Sequence, residues 1–215
     1  MIFAITKFLT NILFRLLYRF RVYRNKKSFC HGPAIVAANH ASFLDPVAVV
    51  LSFPGRLYHL ARSTLFSNVF SNWLLRQWAC YPVNRSSGNS AAFKAAYSLF
   101  QKGQKLIIYP EGSRSPDGHL HPGQIGVGML AIKTKVPVLP VYVAGTYQAF
   151  NRHQKFPKFC KPITCIFGSP VKLDDLLENT TLSSKEIYQI ATDRIMTKIA
   201  ELKSWYENGC IGEVP

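Results

Sequence analysis

The sequence predicts an α/β domain with a mixed, largely parallel central sheet flanked by helices. Three observations carry this. Short apolar, β-rich runs recur at 34–38, 57–61, 79–83, 105–109, 138–143 and 163–167; segments between them carry helix caps and helical apolar stripes; no internal repeat or low-complexity linker intervenes. Strands alternating with helices build layered sheets whose functional loops gather at the carboxyl ends of strands. A length of 215 residues with 48% apolar content fits one domain, 28–215, preceded by an N-terminal helical segment, 1–27.

In that segment Ile2, Phe3, Ile5, Phe8, Leu9, Ile12, Leu13, Phe14, Leu16, Leu17 and Phe20 are interrupted every fourth residue by Lys7, Asn11, Arg15 and Arg19. Steps of four drift by only about 40° around a helix, so these four form one polar ridge. The uncharged run is far shorter than the roughly 20 residues that span a bilayer. The expectation is an amphipathic helix lying in a membrane interface, apolar face among the acyl chains and cations at the headgroups. Arg21, Arg24, Lys26 and Lys27 add attraction to anionic lipid. Packing of the helix on the domain itself is the alternative. Charges inside the apolar stretch and the lack of a small-x-small site disfavour a cleaved signal peptide.

The first strand, Ala34–Ala38, runs into Asn39-His40, and Asp45 stands five residues beyond His40, directly before Pro46 and another apolar run. Asp then Pro marks a helix start. A carboxylate that orients an imidazole is the general-base half of a catalytic triad, here without a nucleophile. Helix capping by Asp45 and pairing with His40 both fit this spacing. Further on, Phe66, Val69, Phe70, Trp73, Leu74, Leu75 and Trp78 read as core, with an acyl channel or a second membrane contact as alternatives.

Two more loops leave strands. One carries Arg85 in Asn84-Arg85-Ser86-Ser87-Gly88; the other is Pro110-Glu111-Gly112-Ser113-Arg114-Ser115. Arg85 and Arg114 suit forked hydrogen bonds to phosphate oxygens. Gly112 lets the backbone approach a ligand closely. Glu111 can order Arg114 or bind a substrate hydroxyl. A capped helix follows Asn89-Ser90 and stops at Gly103; 125–134 is a weaker helix with two glycines; Ser183 to Glu186 is a capping box opening a long C-terminal helix.

The chain holds 26 Lys+Arg against 11 Asp+Glu, a formal charge of +15. Such an excess points to nucleic acid, an acidic membrane surface or a phosphorylated substrate, and composition does not choose among them. The five cysteines, Cys30, Cys80, Cys160, Cys165 and Cys210, show no Cys-x-x-Cys or Cys/His ligand spacing. They read as small buried hydrophobes in a reducing compartment, with no metal site and no disulfide framework.

Taken together and in order, these stretches resemble the glycerolipid acyltransferases, specifically the 1-acyl-sn-glycerol-3-phosphate (lysophosphatidic acid) acyltransferases. The Asn-His-x-x-x-x-Asp block is matched by Asn39, His40 and Asp45. The arginine block is matched by Arg85, and Phe-Pro-Glu-Gly-Thr-Arg-Ser by Tyr109 through Ser115. The apolar strand with a central proline is matched by 136–141. Similarity covers roughly 32–146. Tyr109 and Ser113 replace the usual Phe and Thr. Arg62-Ser63 stand where two lysines are common, and Gln124 near where many members carry a lysine.

The resemblance implies a single α/β acyltransferase domain that moves an acyl group from a thioester, acyl-coenzyme A or acyl carrier protein, to the sn-2 hydroxyl of lysophosphatidate. His40 is then the general base, Asp45 its orienting partner, and Arg85 and Arg114, with Arg62, Glu111 and Gly112, the substrate-binding set. No cofactor or metal is required, and the enzyme is expected on the cytoplasmic face of a membrane, peripheral or monotopic. A related acyltransferase acting on glycerol-3-phosphate or another lysophospholipid is the nearest alternative. A basic nucleic-acid-binding protein is the remote one, disfavoured because the cations concentrate beside the N-terminal helix and in the phosphate loops rather than among stacking aromatics.

Overall fold

The computed structural model describes residues 2–28, 31–84, 88–178 and 181–215. Among these, seven strands form one sheet: β1 (Arg19–Arg24), β2 (Ala34–Ala38), β3 (Tyr58–Arg62), β4 (Cys80–Val83), β5 (Lys105–Ile108), β6 (Val138–Ala144) and β7 (Pro162–Phe167), in the order β1-β7-β6-β2-β5-β3-β4. Strands β6, β2, β5, β3 and β4 are mutually parallel. Strand β7 runs antiparallel to β6, and β1 parallel to β7. The described helices are α1 (Ile2–Leu17), α2 (Asp45–Ser52), α3 (Val69–Gln77), α4 (Gly88–Gln101), α5 (Gly126–Thr134), α6 (Thr146–Phe150), α7 (Asp174–Leu177) and α8 (Ser184–Glu207).

Strand β2 is buried along its whole length because both sheet faces are covered. Val36 and Ala38 face one layer with Phe14 of α1 and Val49 of α2. Ile35 and Ala37 face the other with Leu99 of α4, Leu130 of α5 and Ile195 of α8. The period-2 alternation of a strand thus sorts one apolar run into two cores. Gly128 of α5 has a packing reason: a Cβ there would lie 2.0 Å from the Tyr188 carbonyl of α8, so only glycine lets the two helices meet. Helix α8 begins with the expected capping box of Ser183 and Glu186.

Two expectations for the N-terminal segment change. The helix ends at Leu17, and Arg19–Arg24, expected among the basic residues that continue it, is an edge strand with Phe20 buried. Its Arg-Phe-Arg-Val-Tyr-Arg alternation has the period of a strand, which a four-residue spacing of cations conceals. Two members of the polar ridge, Lys7 and Asn11, face the protein, while Arg15 is exposed. Lys7 Nζ donates to the carbonyls of Phe53 (2.5 Å) and Gly55 (3.1 Å), and Asn11 Nδ2 to that of Leu51 (3.4 Å). Carbonyls at the end of a helix such as α2 lack partners within it and attract cations. The outward face is apolar: Phe8 is 65% exposed and Leu16 76%.

The core role expected for 66–78 holds at Trp78, which packs against the buried cluster and meets Phe3 edge-on, but not along α3. Helix α3 contributes no buried residue; Val69, Phe70 and Trp73 are exposed, while Leu74, Leu75 and Trp78 border a cavity. Among the described residues no helix is long and apolar enough to cross a membrane.

Candidate active site

Five parallel strands send their carboxyl ends to the same side of the sheet. Beyond β2 come Asn39 and His40; β3 ends in Arg62; β5 leads to Glu111, Gly112 and Arg114; β6 leads through α6 to Arg152. Strand β4 leads to Arg85, which lies outside the described residues. A cavity of about 1310 Å³ is lined by His40, Arg62, Gly112, Arg114 and Arg152, and on its apolar side by Leu74, Leu75, Trp78, Phe93 and Leu130.

His40 Nδ1 lies 2.9 Å from Asp45 Oδ2. The same oxygen accepts from the backbone N–H of Ala41 and of Ser42, each at 2.7 Å. An oxygen that accepts two N–H bonds is acting as an acceptor, so Nδ1 carries a proton, and in the neutral imidazole Nε2 is the nitrogen with the free lone pair. Asp45 is fully buried, while the His40 side chain retains 17% exposure. The expected N-cap geometry is not what the carboxylate makes: Leu44 occupies the cap position, and Asp45, the first helical residue, turns its side chain back onto the His40 loop. Ser42, between His40 and Asp45 in the chain, is buried, and its hydroxyl donates to the Phe150 carbonyl at 2.5 Å.

Both backbone polar groups of His40 are held by the β5 loop. Its N–H donates to Glu111 Oε1 (2.9 Å), and its carbonyl accepts from Ser115 N–H (2.7 Å). Glu111 Oε2 accepts from His121 N–H at 3.3 Å, so the carboxylate joins two loops. No ion pair between Glu111 and Arg114 occurs among the described residues. Burial raises the Glu111 carboxyl above its ordinary range against the lowering effect of these two N–H bonds. The Tyr109 ring stacks on the His40 imidazole, centroids 4.0 Å apart and planes 20° from parallel. Gly112 adopts φ 75°, a conformation that closes the turn to the Tyr109 carbonyl and that a side chain resists. Asn39 continues the sheet past the end of β2: its amide donates to the Val143 carbonyl (3.0 Å) and accepts from Val143 N–H (2.7 Å).

The Arg114 guanidinium sits over the Phe43 ring, its carbon 3.5 Å from the centroid. Its Nη1 is buried without a hydrogen-bond partner. Partial burial, then the neighbouring Arg152, lower its pKa, and Asp45 opposes them. Arg152 is the residue of this cluster that sequence reasoning missed; its signal was a cation in the loop following the β6 run. Also on the cavity wall, His59 in β3 is pushed by burial down to about 4 and is therefore neutral.

An imidazole held by a carboxylate, a row of cations and an apolar wall thus share one cavity. Residues 19–144 match the family described as Acyltransferase. The chain belongs to the Acyltransferase family. The match begins at the first residue of β1 and ends at the last of β6, enclosing His40, Asp45, Arg62, Glu111, Gly112 and Arg114.

Relatives of this acyltransferase-family chain include the chloroplastic 1-acyl-sn-glycerol-3-phosphate acyltransferase BAT2 of Brassica napus, 32% identical over 116 residues, covering 53% of this chain and 33% of that one. The 1-acyl-sn-glycerol-3-phosphate acyltransferase of Cocos nucifera is 29% identical over 150 residues, covering 68% and 48%. The chain therefore spans a third to about half the length of these two relatives. The fold matches the crystal structure of the 1-acyl-sn-glycerophosphate (LPA) acyltransferase from Thermotoga maritima, with a TM-score of 0.71, 25% identity, and coverage of 94% of this chain and 80% of that one.

Proposed function

We propose that this acyltransferase-family protein transfers an acyl group from a thioester, acyl-coenzyme A or acyl carrier protein, to the sn-2 hydroxyl of 1-acyl-glycerol-3-phosphate, giving phosphatidic acid. The observation that carries the reading is one cavity lined by both the Asp45-bound imidazole and Arg114 with its unpartnered buried nitrogen. Relatives named for this reaction support it.

His40 Nε2 takes the proton from the acceptor hydroxyl as that oxygen attacks the thioester carbonyl carbon. Asp45 steadies the imidazolium that forms. When the tetrahedral intermediate collapses, the carbon–sulfur bond breaks and the imidazolium returns its proton to the departing sulfur. No acyl-enzyme forms. General-base help is worth about 10²–10⁴-fold, and holding both substrates in one cavity supplies much of the rest. Arg114, Arg62 and Arg85 grip the acceptor phosphate; Gly112 leaves room for it; Glu111 fixes the loop that carries His40. The wall formed by Leu74, Leu75 and Trp78 receives an acyl chain. At about 1310 Å³ the cavity exceeds the roughly 300–1,000 Å³ of an ordinary ligand pocket, as two substrates require.

The exposed apolar face of α1 seats the protein on a membrane. Lys7 is engaged with the end of α2, so the cations that attract anionic lipid are the exposed ones, Arg15, Arg21, Lys26 and Lys27. Purified protein in detergent, given acyl thioesters crossed against lysophosphatidate, glycerol-3-phosphate and other lysophospholipids, tests the reading. Phosphatidate formation from lysophosphatidate is expected; acylation of another acceptor in preference to it would overturn the assignment.

A further inference from the structure

We infer that Arg152 is a further phosphate-gripping cation of the acceptor site, acting beside Arg114 and setting the preference for a phosphorylated over an unphosphorylated acceptor. The inference rests on the proposed function and adds a residue beyond the matched segment 19–144.

Position comes first. Arg152 follows α6, the element that β6 feeds into, and β6 is the immediate neighbour of β2. The segment is fastened to the catalytic loop rather than loosely attached. The Phe150 carbonyl accepts from Phe43 N–H and from the Ser42 hydroxyl, and the Phe43 and Phe150 rings lie 5.1 Å apart. Beyond it, His153 N–H donates to Asn151 Oδ1 (3.0 Å), an Asx turn that fixes the backbone around Arg152. The His153 ring nitrogen Nε2 lies 3.2 Å from the Pro116 carbonyl, which also accepts from the Tyr147 hydroxyl at 2.8 Å. The loop bearing Arg152 is thereby pinned to the loops bearing both His40 and Arg114.

Chemistry comes second. Arg152 Nη1 donates to the Arg114 carbonyl at 3.3 Å, which spends one of the five donors of its fork and brings it to the Arg114 loop of the cavity wall. Both side chains line the cavity that His40 lines. Among the described residues neither guanidinium is paired with a carboxylate, and their mutual repulsion registers on Arg114. Asp45, the acid nearest in effect, is occupied at Oδ2 by three donors. Two like charges held together by backbone, with a buried Nη1 left open between protein partners, form a site that a multiply charged oxyanion completes. A phosphate monoester carries about −1.5 to −2 at neutral pH and offers three acceptor oxygens, more than one guanidinium satisfies.

The test compares full-length wild type, Arg152→Ala, Arg152→Lys and Lys155→Ala, the last an exposed cation of the same loop. Each is assayed for acyl transfer to lysophosphatidate and to the matching monoacylglycerol, with thermal unfolding as a check on folding. Arg152→Ala is expected to raise KM for lysophosphatidate about 10–100-fold, the effect of one lost charge-assisted contact, and to narrow the lysophosphatidate-over-monoacylglycerol preference correspondingly. Arg152→Lys recovers part of both. An unchanged preference in Arg152→Ala, or an equal effect from Lys155→Ala, would overturn the inference. Calorimetric titration with inorganic phosphate separates this failure from that of the proposed reaction. If wild type does not acylate lysophosphatidate, the reaction assignment falls, and the Arg152 site then stands if Arg152→Ala weakens phosphate binding and falls if it does not.

Discussion

His40 and Asp45 meet through one hydrogen bond of 2.9 Å, and the carboxylate oxygen that makes it also closes the loop between them by accepting from Ala41 and Ser42. Orientation of the imidazole and folding of its loop are one arrangement. Asp45→Asn keeps an acceptor oxygen for the two N–H groups but removes the charge that stabilises the imidazolium. We expect kcat to fall about 10²–10⁴-fold with a small change in Tm. Steady-state rates alongside thermal unfolding check this; a small fall in kcat would detach Asp45 from catalysis.

Glu111 holds the other side of the same loop. In Glu111→Gln the amide NH₂ must face either His40 N–H or His121 N–H, so one buried donor loses its acceptor. The expected cost is about 1–3 kcal/mol of stability, with a fall in kcat as the His40 loop loosens. Denaturant unfolding measures the first and turnover the second.

Phe43 supports Arg114 by stacking and is itself 47% exposed. Phe43→Ala therefore changes stability little but frees the guanidinium plane. Cation–π contacts are worth about 0.5–2 kcal/mol, so KM for lysophosphatidate should rise roughly 2–30-fold while KM for the thioester stays put. Equal effects on both substrates would show that the ring serves the cavity in general.

His59 gives stability a pH dependence. Burial lowers its pKa to about 4 from an ordinary 6.5. Between those values the unfolded chain takes up a proton that the folded chain does not, so stability falls as pH drops through 6.5, the loss becoming complete near 4. The full effect is about 3 kcal/mol. His59→Gln should flatten the Tm profile across this window, and a slope equal to wild type would assign the dependence to other groups.

Phe8 and Leu16 project from the outer face of α1. Phe8→Asp/Leu16→Asp should leave Tm unchanged and reduce sedimentation with anionic vesicles at least about tenfold. Undiminished binding would place the membrane contact elsewhere.

Much of this was legible in the chain. The β2 boundaries, the capping box of Ser183 and the grouping of His40, Asp45 and Arg114 follow from local pattern and motif order, because each depends on residues close in sequence or on loops that the sheet must align. What was not legible depends on tertiary partners. Lys7 and Asn11 read as part of a headgroup-facing polar ridge because nothing local announces that the end of α2 lies beneath them. Arg19–Arg24 became a strand because β7, far along the chain, offers it an edge. The apolar residues of α3 read as core because hydrophobicity alone does not separate a buried face from one bordering a cavity or facing outward. Arg152 joins the site through the Phe150 carbonyl, a contact bridging more than a hundred residues.

The most direct measurement is the rate of thiol release when an acyl thioester and lysophosphatidate are mixed with wild type or with His40→Ala of matched thermal stability. If His40 is the base, the variant loses at least about 10²-fold in kcat, with phosphatidate formation falling in step. A His40→Ala protein that stays within about tenfold of wild type would contradict the role assigned to this histidine.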